Sequence, residues 1–153
     1  MQTTTGLDAA AVSLRAWLNR QHFTDLTARE VTQFLTRTTI EWAAGLNYHA
    51  RREVRLPARP DHPHAELLDL RLKHRSGKGR PISIEIDRGN KLHSLNKLVR
   101  AAELGDHALW LRWSHGHVPI PIPPTVRLIR AHVLRRRTPT GSNRISLQAG
   151  DCG

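Results

Sequence analysis

The run Ile82-Ser83-Ile84-Glu85-Ile86-Asp87 constrains the fold more than any other part of the chain. Strict alternation of apolar and polar residues is the period of an extended strand, not of a helix. In such a strand the three isoleucines point to one side and Ser83, Glu85 and Asp87 to the other. The isoleucine side must be covered by further apolar surface, so this strand belongs at the centre of a sheet. Two carboxylates then share the opposite side.

The neighbouring patterns say what surrounds that strand. Asp8 caps a helix running to about Arg20, with Leu7, Ala11, Leu14 and Leu18 along one face. Thr27-Ala28-Arg29-Glu30 has the form of a capping box, and Val31, Phe34, Leu35, Thr38 and Trp42 carry a second helix toward Tyr48, with Glu41 in its second half. Trp17 and Trp42 belong to the core. Glu53–Leu56 and Leu68–Leu72 alternate on either side of a Pro57–Pro63 turn and predict a hairpin. The basic turn Arg75–Arg80 leads into the central strand. Beyond it Gly89 and Asn90 break the pattern, and Leu92, Leu95, Leu98, Val99 and Ala102 define a helix ending near Gly105. Ala108–Trp113 is a further strand. The prolines of Val118–Pro124 exclude an internal strand there. Val126–Arg137 reads as a strand, and Thr138–Gly153 as a polar tail without fixed structure. The expectation is one domain over 1–137, with an α/β fold of a mixed central sheet flanked by helices.

Charge bears on the partner. The 153 residues carry a net charge of +11, and such an excess attracts polyanions. Residues 1–50 balance four Arg against four acids, whereas 51–118 hold fourteen Lys and Arg against eight acids, and 119–153 six Arg against one. The positive excess begins with the strands, which points to nucleic acid, DNA first. No apolar run approaches the roughly 18–20 residues a membrane helix needs, and the N-terminus lacks the order of a secretory signal. The expected location is the cytoplasm, associated with the nucleoid, or the nucleus if the source has one. A lone Cys152 excludes a disulfide framework and a Cys-rich zinc site.

Asp69 lies between Leu68 and Leu70, so on a regular strand it points away from both, and strand pairing can set it beside Glu85. Asp69, Glu85 and Asp87 then form a set of hard oxygen ligands suited to Mg²⁺ or Mn²⁺. The plainer alternative is a solvent-facing row of acids paired with Arg71 or Arg88. His93 is a possible general base. His62-Pro63-His64 and His115-Gly116-His117 are weak zinc signals. Trp110 and Trp113 suit packing, although Trp113 beside Arg112 is placed to touch DNA.

The order helix with Glu41, strand, strand with Asp69, strand with Glu85, helix, strand resembles the core of the PD-(D/E)XK nuclease superfamily over about residues 28–113. The resemblance implies a restriction-endonuclease-like α-β-β-β-α-β core with an extra N-terminal helix. It also implies a metal-dependent nuclease in which Asp69 and Glu85 bind metal and activate water, with Glu41 as an optional helical carboxylate. Where the family has Glu-x-Lys this chain has Glu85-Ile86-Asp87. Asp87 therefore either joins the metal ligands or marks a relative that binds nucleic acid without cutting it. The missing lysine is sought on the following helix. Taking Leu92, Leu95, Leu98 and Val99 as its buried face puts Lys97 nearly opposite and favours Lys91. Arg71, Lys73, Arg75, Lys78, Arg80, Arg88 and Lys97 are the expected phosphate contacts. A single-site enzyme of this size needs sequential nicks or a homodimer to cut both strands.

Overall fold

A computed structural model describes residues 6–61, 64–114 and 119–153. The chain opens with α1 (Gly6–Leu18), a short β1 (Phe23–Leu26) and α2 (Ala28–Gly45). The capping box forms at the start of α2: the Glu30 N–H donates to Thr27 Oγ1 (3.2 Å) and the Thr27 N–H donates to Glu30 Oε1 (3.0 Å). Three strands follow, β2 (Tyr48–Arg55), β3 (Leu67–His74) and β4 (Ile82–Asp87), then α3 (Leu92–Glu103) and β5 (His107–Trp113). Apart from β1, which the periodicities do not announce, this is the helix and strand order that they lead to.

The main sheet has the order β2-β3-β4-β5 and ends on β6 (Val126–Ala131). The β2–β3 and β3–β4 pairs are antiparallel and the β4–β5 and β5–β6 pairs parallel, so the sheet is mixed. Helices cover both sides. Ile82, Ile84 and Ile86 pack with Leu14, Leu18, Val31, Leu35 and Trp42 of α1 and α2. On the other side Leu95, Leu98 and Ala101 of α3 pack with Leu56, Leu68, Ala108, Trp110 and Val126.

Two expectations are corrected. The stretch Val126–Arg137 is not one strand: β6 ends at Ala131, and β7 (Leu134–Arg137) lies in a second sheet of order β1-β8-β7. The polar tail from Thr138 contains β8 (Asn143–Leu147), paired antiparallel with β1 and β7. Ile145 and Leu147 are buried, and Cys152 bridges back to Ala131. The tail is ordered because its alternating apolar residues complete the main core. Among the described residues no helix is long and apolar enough to cross a membrane.

Candidate functional site

All six residues of β4 are buried, including those on its polar side. Ser83, Glu85 and Asp87 lie under α3 instead of facing solvent, and each carries its own hydrogen bonds. Ser83 Oγ donates to Asp106 Oδ2 (2.7 Å), and Asp106 also accepts two bonds from the Arg71 guanidinium, from Nε at 2.8 Å and Nη2 at 3.1 Å. Trp110 Nε1 donates to Asp87 Oδ2 (2.8 Å).

Between these two anchored ends sits Glu85. The β3–β4 ladder runs Leu72↔Ile82, Arg71↔Ser83 and Leu70↔Ile84 and then stops. One rung further, side chains replace backbone partners: the Asp69 N–H donates to Glu85 Oε2 (2.8 Å) and the Ile86 N–H donates to Asp69 Oδ2 (2.8 Å). The two carboxylates hold the strands apart while satisfying their free amides. The strand turns here too. Leu68 packs under α3 while Leu70 and Leu72 pack with the isoleucines, so the alternation of β3 changes sides at Asp69. On β2, the residue between the partners of Leu70 and Leu68 is Glu53, whose φ of +51° is rare for a side chain other than glycine.

Lys97 completes the arrangement. Its Nζ is in ion-pair contact with Glu85 Oε1 and donates to the Leu67 carbonyl (2.7 Å). Burial first, and the neighbouring Asp69 charge second, push the Glu85 carboxyl up to about 8, against the opposing pull of Lys97. The charged form of Glu85 therefore depends on the cation beside it, which here is the Lys97 ammonium.

The preference for Lys91 is thus corrected. Its Nζ is 3.8 Å from Asp87 Oδ1 but its side chain is 68% exposed, whereas that of Lys97 is 12% exposed. The error lay in the helix phase. Leu92 is exposed and does not belong to the buried stripe, which runs through Ser94, Leu98 and Ala101. Lys97 flanks that stripe, three residues after Ser94 and four before Ala101. Its long stem lies along the sheet while its ammonium reaches a polar partner.

Other candidates are distributed differently. Glu41 is on the exposed face of α2, a helix packed on the isoleucine side, and is not brought to Asp69 and Glu85. Asp87 shares their side of β4 but is held by Trp110 and Lys91. Among the described residues no three His, Cys, Asp or Glu groups stand close enough to share a metal ion. The proposed Asp69, Glu85 and Asp87 ligand set therefore reduces to a carboxylate pair. Arg71 is committed to Asp106, and Arg88 lies over the Trp113 ring at 5.7 Å. Lys73, Arg75, Lys78 and Arg80 are exposed. Arg75, just past the end of β3, is six residues from Asp69, about 20 Å away at strand rise. His93 is exposed on the first turn of α3; His62, His115 and His117 fall outside the described residues. The role of Trp110 as a partner of Asp87 was hidden by its apolar surroundings in the sequence. A cleft of about 650 Å³, lined by Gly6, Arg80, Asp106, His107 and Arg127, lies at the far end of β4, away from Asp69 and Glu85. There burial and the Arg80 charge hold the His107 imidazole below its ordinary range.

No family model, curated protein or solved structure matches the chain. The donor set fits Mg²⁺ better than zinc: it offers oxygen and no thiolate, and Mg²⁺ is commonly held by one or two carboxylates with waters and substrate phosphate filling its octahedron.

Proposed function

We infer that the protein is a nuclease dependent on Mg²⁺ or Mn²⁺, built on a restriction-endonuclease-like core and cutting DNA phosphodiesters. The observation that carries this reading is the reciprocal lock of Asp69 and Glu85 between separated strands, with the Lys97 ammonium against Glu85. Two carboxylates in a buried setting repel each other, and a divalent cation relieves that repulsion. A bound Mg²⁺ would polarise the scissile phosphate and lower the pKa of the attacking water. Asp69 and Glu85 would hold the cation. Lys97 is placed to turn its ammonium from Glu85 toward the phosphate, where it neutralises developing charge. The net charge of +11 draws the polyanion in, and Arg75, Lys78 and Arg80 act as distant phosphate contacts.

A second reading is a nucleic-acid-binding module without activity. It is favoured by one observation: Glu85 is 1% exposed and already paired with Lys97. Nicking of supercoiled plasmid separates the two. The nuclease reading expects cleavage that needs Mg²⁺ or Mn²⁺, is abolished by Asp69→Asn and by Glu85→Gln, and falls in Lys97→Met while DNA binding persists. Cleavage unchanged in both carboxylate variants refutes the site. Absence of cleavage with either metal, alongside binding that weakens steeply with salt, favours the module.

A further inference from the structure

The described residues between β2 and β3, 56–61 and 64–66, border a cavity of about 270 Å³ beside α3, lined by Arg55, Arg59, His64, Glu66 and Arg100 together with apolar side chains. Its floor is a buried ionic network. Glu66 Oε1 accepts from Arg59 Nη2 (3.2 Å) and from Arg100 Nη1 (3.1 Å), and Arg100 also donates to the Pro57 carbonyl. The side chains of Arg100 and Glu66 are 9% and 5% exposed. One carboxylate fixes two guanidinium groups that it does not neutralise in full. With Arg55, the cavity holds three arginines against one acid. The two positive charges left over match a phosphate monoester dianion better than a singly charged diester. Planar guanidinium groups also suit its several free oxygens.

The cavity adjoins the Asp69–Glu85 site. Glu66 in its floor immediately precedes Leu67, whose carbonyl accepts from Lys97, and Asp69 is three residues from Glu66, about 10 Å at strand rise. Arg100 and Lys97 are three residues apart on α3 and so are surface neighbours. At the axial rise of about 3.4 Å per base in a stacked helix, 10 Å spans roughly three nucleotides.

We propose that this cavity binds the terminal phosphate of a nucleic-acid strand and so sets cleavage a few nucleotides from a phosphorylated end. The proposal rests on the nuclease reading for its second half only.

The test uses the full chain and four single-stranded DNA probes of one sequence: 5′-phosphorylated, 3′-phosphorylated, hydroxyl at both ends, and circular. Binding is measured in Ca²⁺ and cleavage in Mg²⁺. One of the phosphorylated ends should bind roughly tenfold tighter than the hydroxyl and circular probes, the scale of one or two charge-assisted hydrogen bonds. Inorganic phosphate at millimolar concentration should erase that difference. The double variant Arg55→Gln, Arg59→Gln should lose the distinction between ends, with melting temperature reported to show that it is folded. Equal affinity for all four probes overturns the proposal. An end preference in binding without any cleavage in Mg²⁺ supports the cavity assignment and sinks the nuclease reading. Cleavage with no end preference in binding or in product length does the reverse.

Discussion

The two sides of β4 are equally buried and are stabilised by opposite means. On one side Ile82, Ile84 and Ile86 meet the apolar stripes of α1 and α2. On the other, Ser83, Glu85 and Asp87 are buried beneath α3, where Asp106, Asp69, Lys97 and Trp110 supply their partners. The first arrangement needs only matched shape. The second carries a desolvation cost at every group, and a fold that keeps acids in such a place gains little stability from them. The contrast teaches that the isoleucine side of β4 serves folding, whereas the polar side keeps buried groups that folding alone does not call for. Within the polar side the same division recurs: Ser83 and Asp87 are tied at the ends, and Glu85, between them, is the group whose charge is least at ease.

Substitutions should break this comparison in a definite order. The largest effect is expected from Ile84→Asp, which buries a charge among α1 and α2 side chains; it should cost more than about 4 kcal/mol or prevent folding, as read by urea denaturation. Glu66→Ala leaves the buried Arg100 guanidinium without its carboxylate and should cost about 3 kcal/mol in the same measurement. Trp110→Phe removes the donor to Asp87 while keeping an aromatic ring, and about 1–2 kcal/mol is expected.

The pH dependence sharpens the comparison further. The Glu85 carboxyl lies at about 8 in the folded protein, above its ordinary 4.5. Between those values the folded state keeps a proton that the unfolded chain releases, so this group's contribution to stability is full below about 4.5 and is lost as the pH rises through 8. Glu85→Gln should flatten that slope without an equal loss of stability, and saturating Mg²⁺ should flatten it in the unsubstituted protein. A slope that survives Glu85→Gln would assign it to another group.

Much of the frame was legible because it follows from local periodicity. The alternation at Ile82–Asp87 placed the central strand, and Thr27 with Glu30 marked the start of α2. The hidden parts depend on contacts distant in sequence. The pairing of β1 with β8 joins residues more than 100 apart through Phe23 and Leu147, and neither segment is apolar enough to announce a strand alone. Likewise Asp69 looked like one polar position in a regular strand. The change of side at that residue comes from Leu68 and Leu70 entering different cores, which only packing decides. Lys97 was misplaced because the buried face of α3 was centred on Leu92 and Val99, whereas it takes in Ser94 and Ala101.

The central claim is that Asp69 and Glu85 form one cation site with Lys97 as its resident positive charge. Its most direct measurement is Mn²⁺ titration followed by electron paramagnetic resonance at pH 8. The expected result is one site per chain, lost in Glu85→Gln, lost in Asp69→Asn and kept in Lys97→Met, with the lysine variant binding at least as tightly. Mn²⁺ binding indifferent to both carboxylate substitutions would contradict the account.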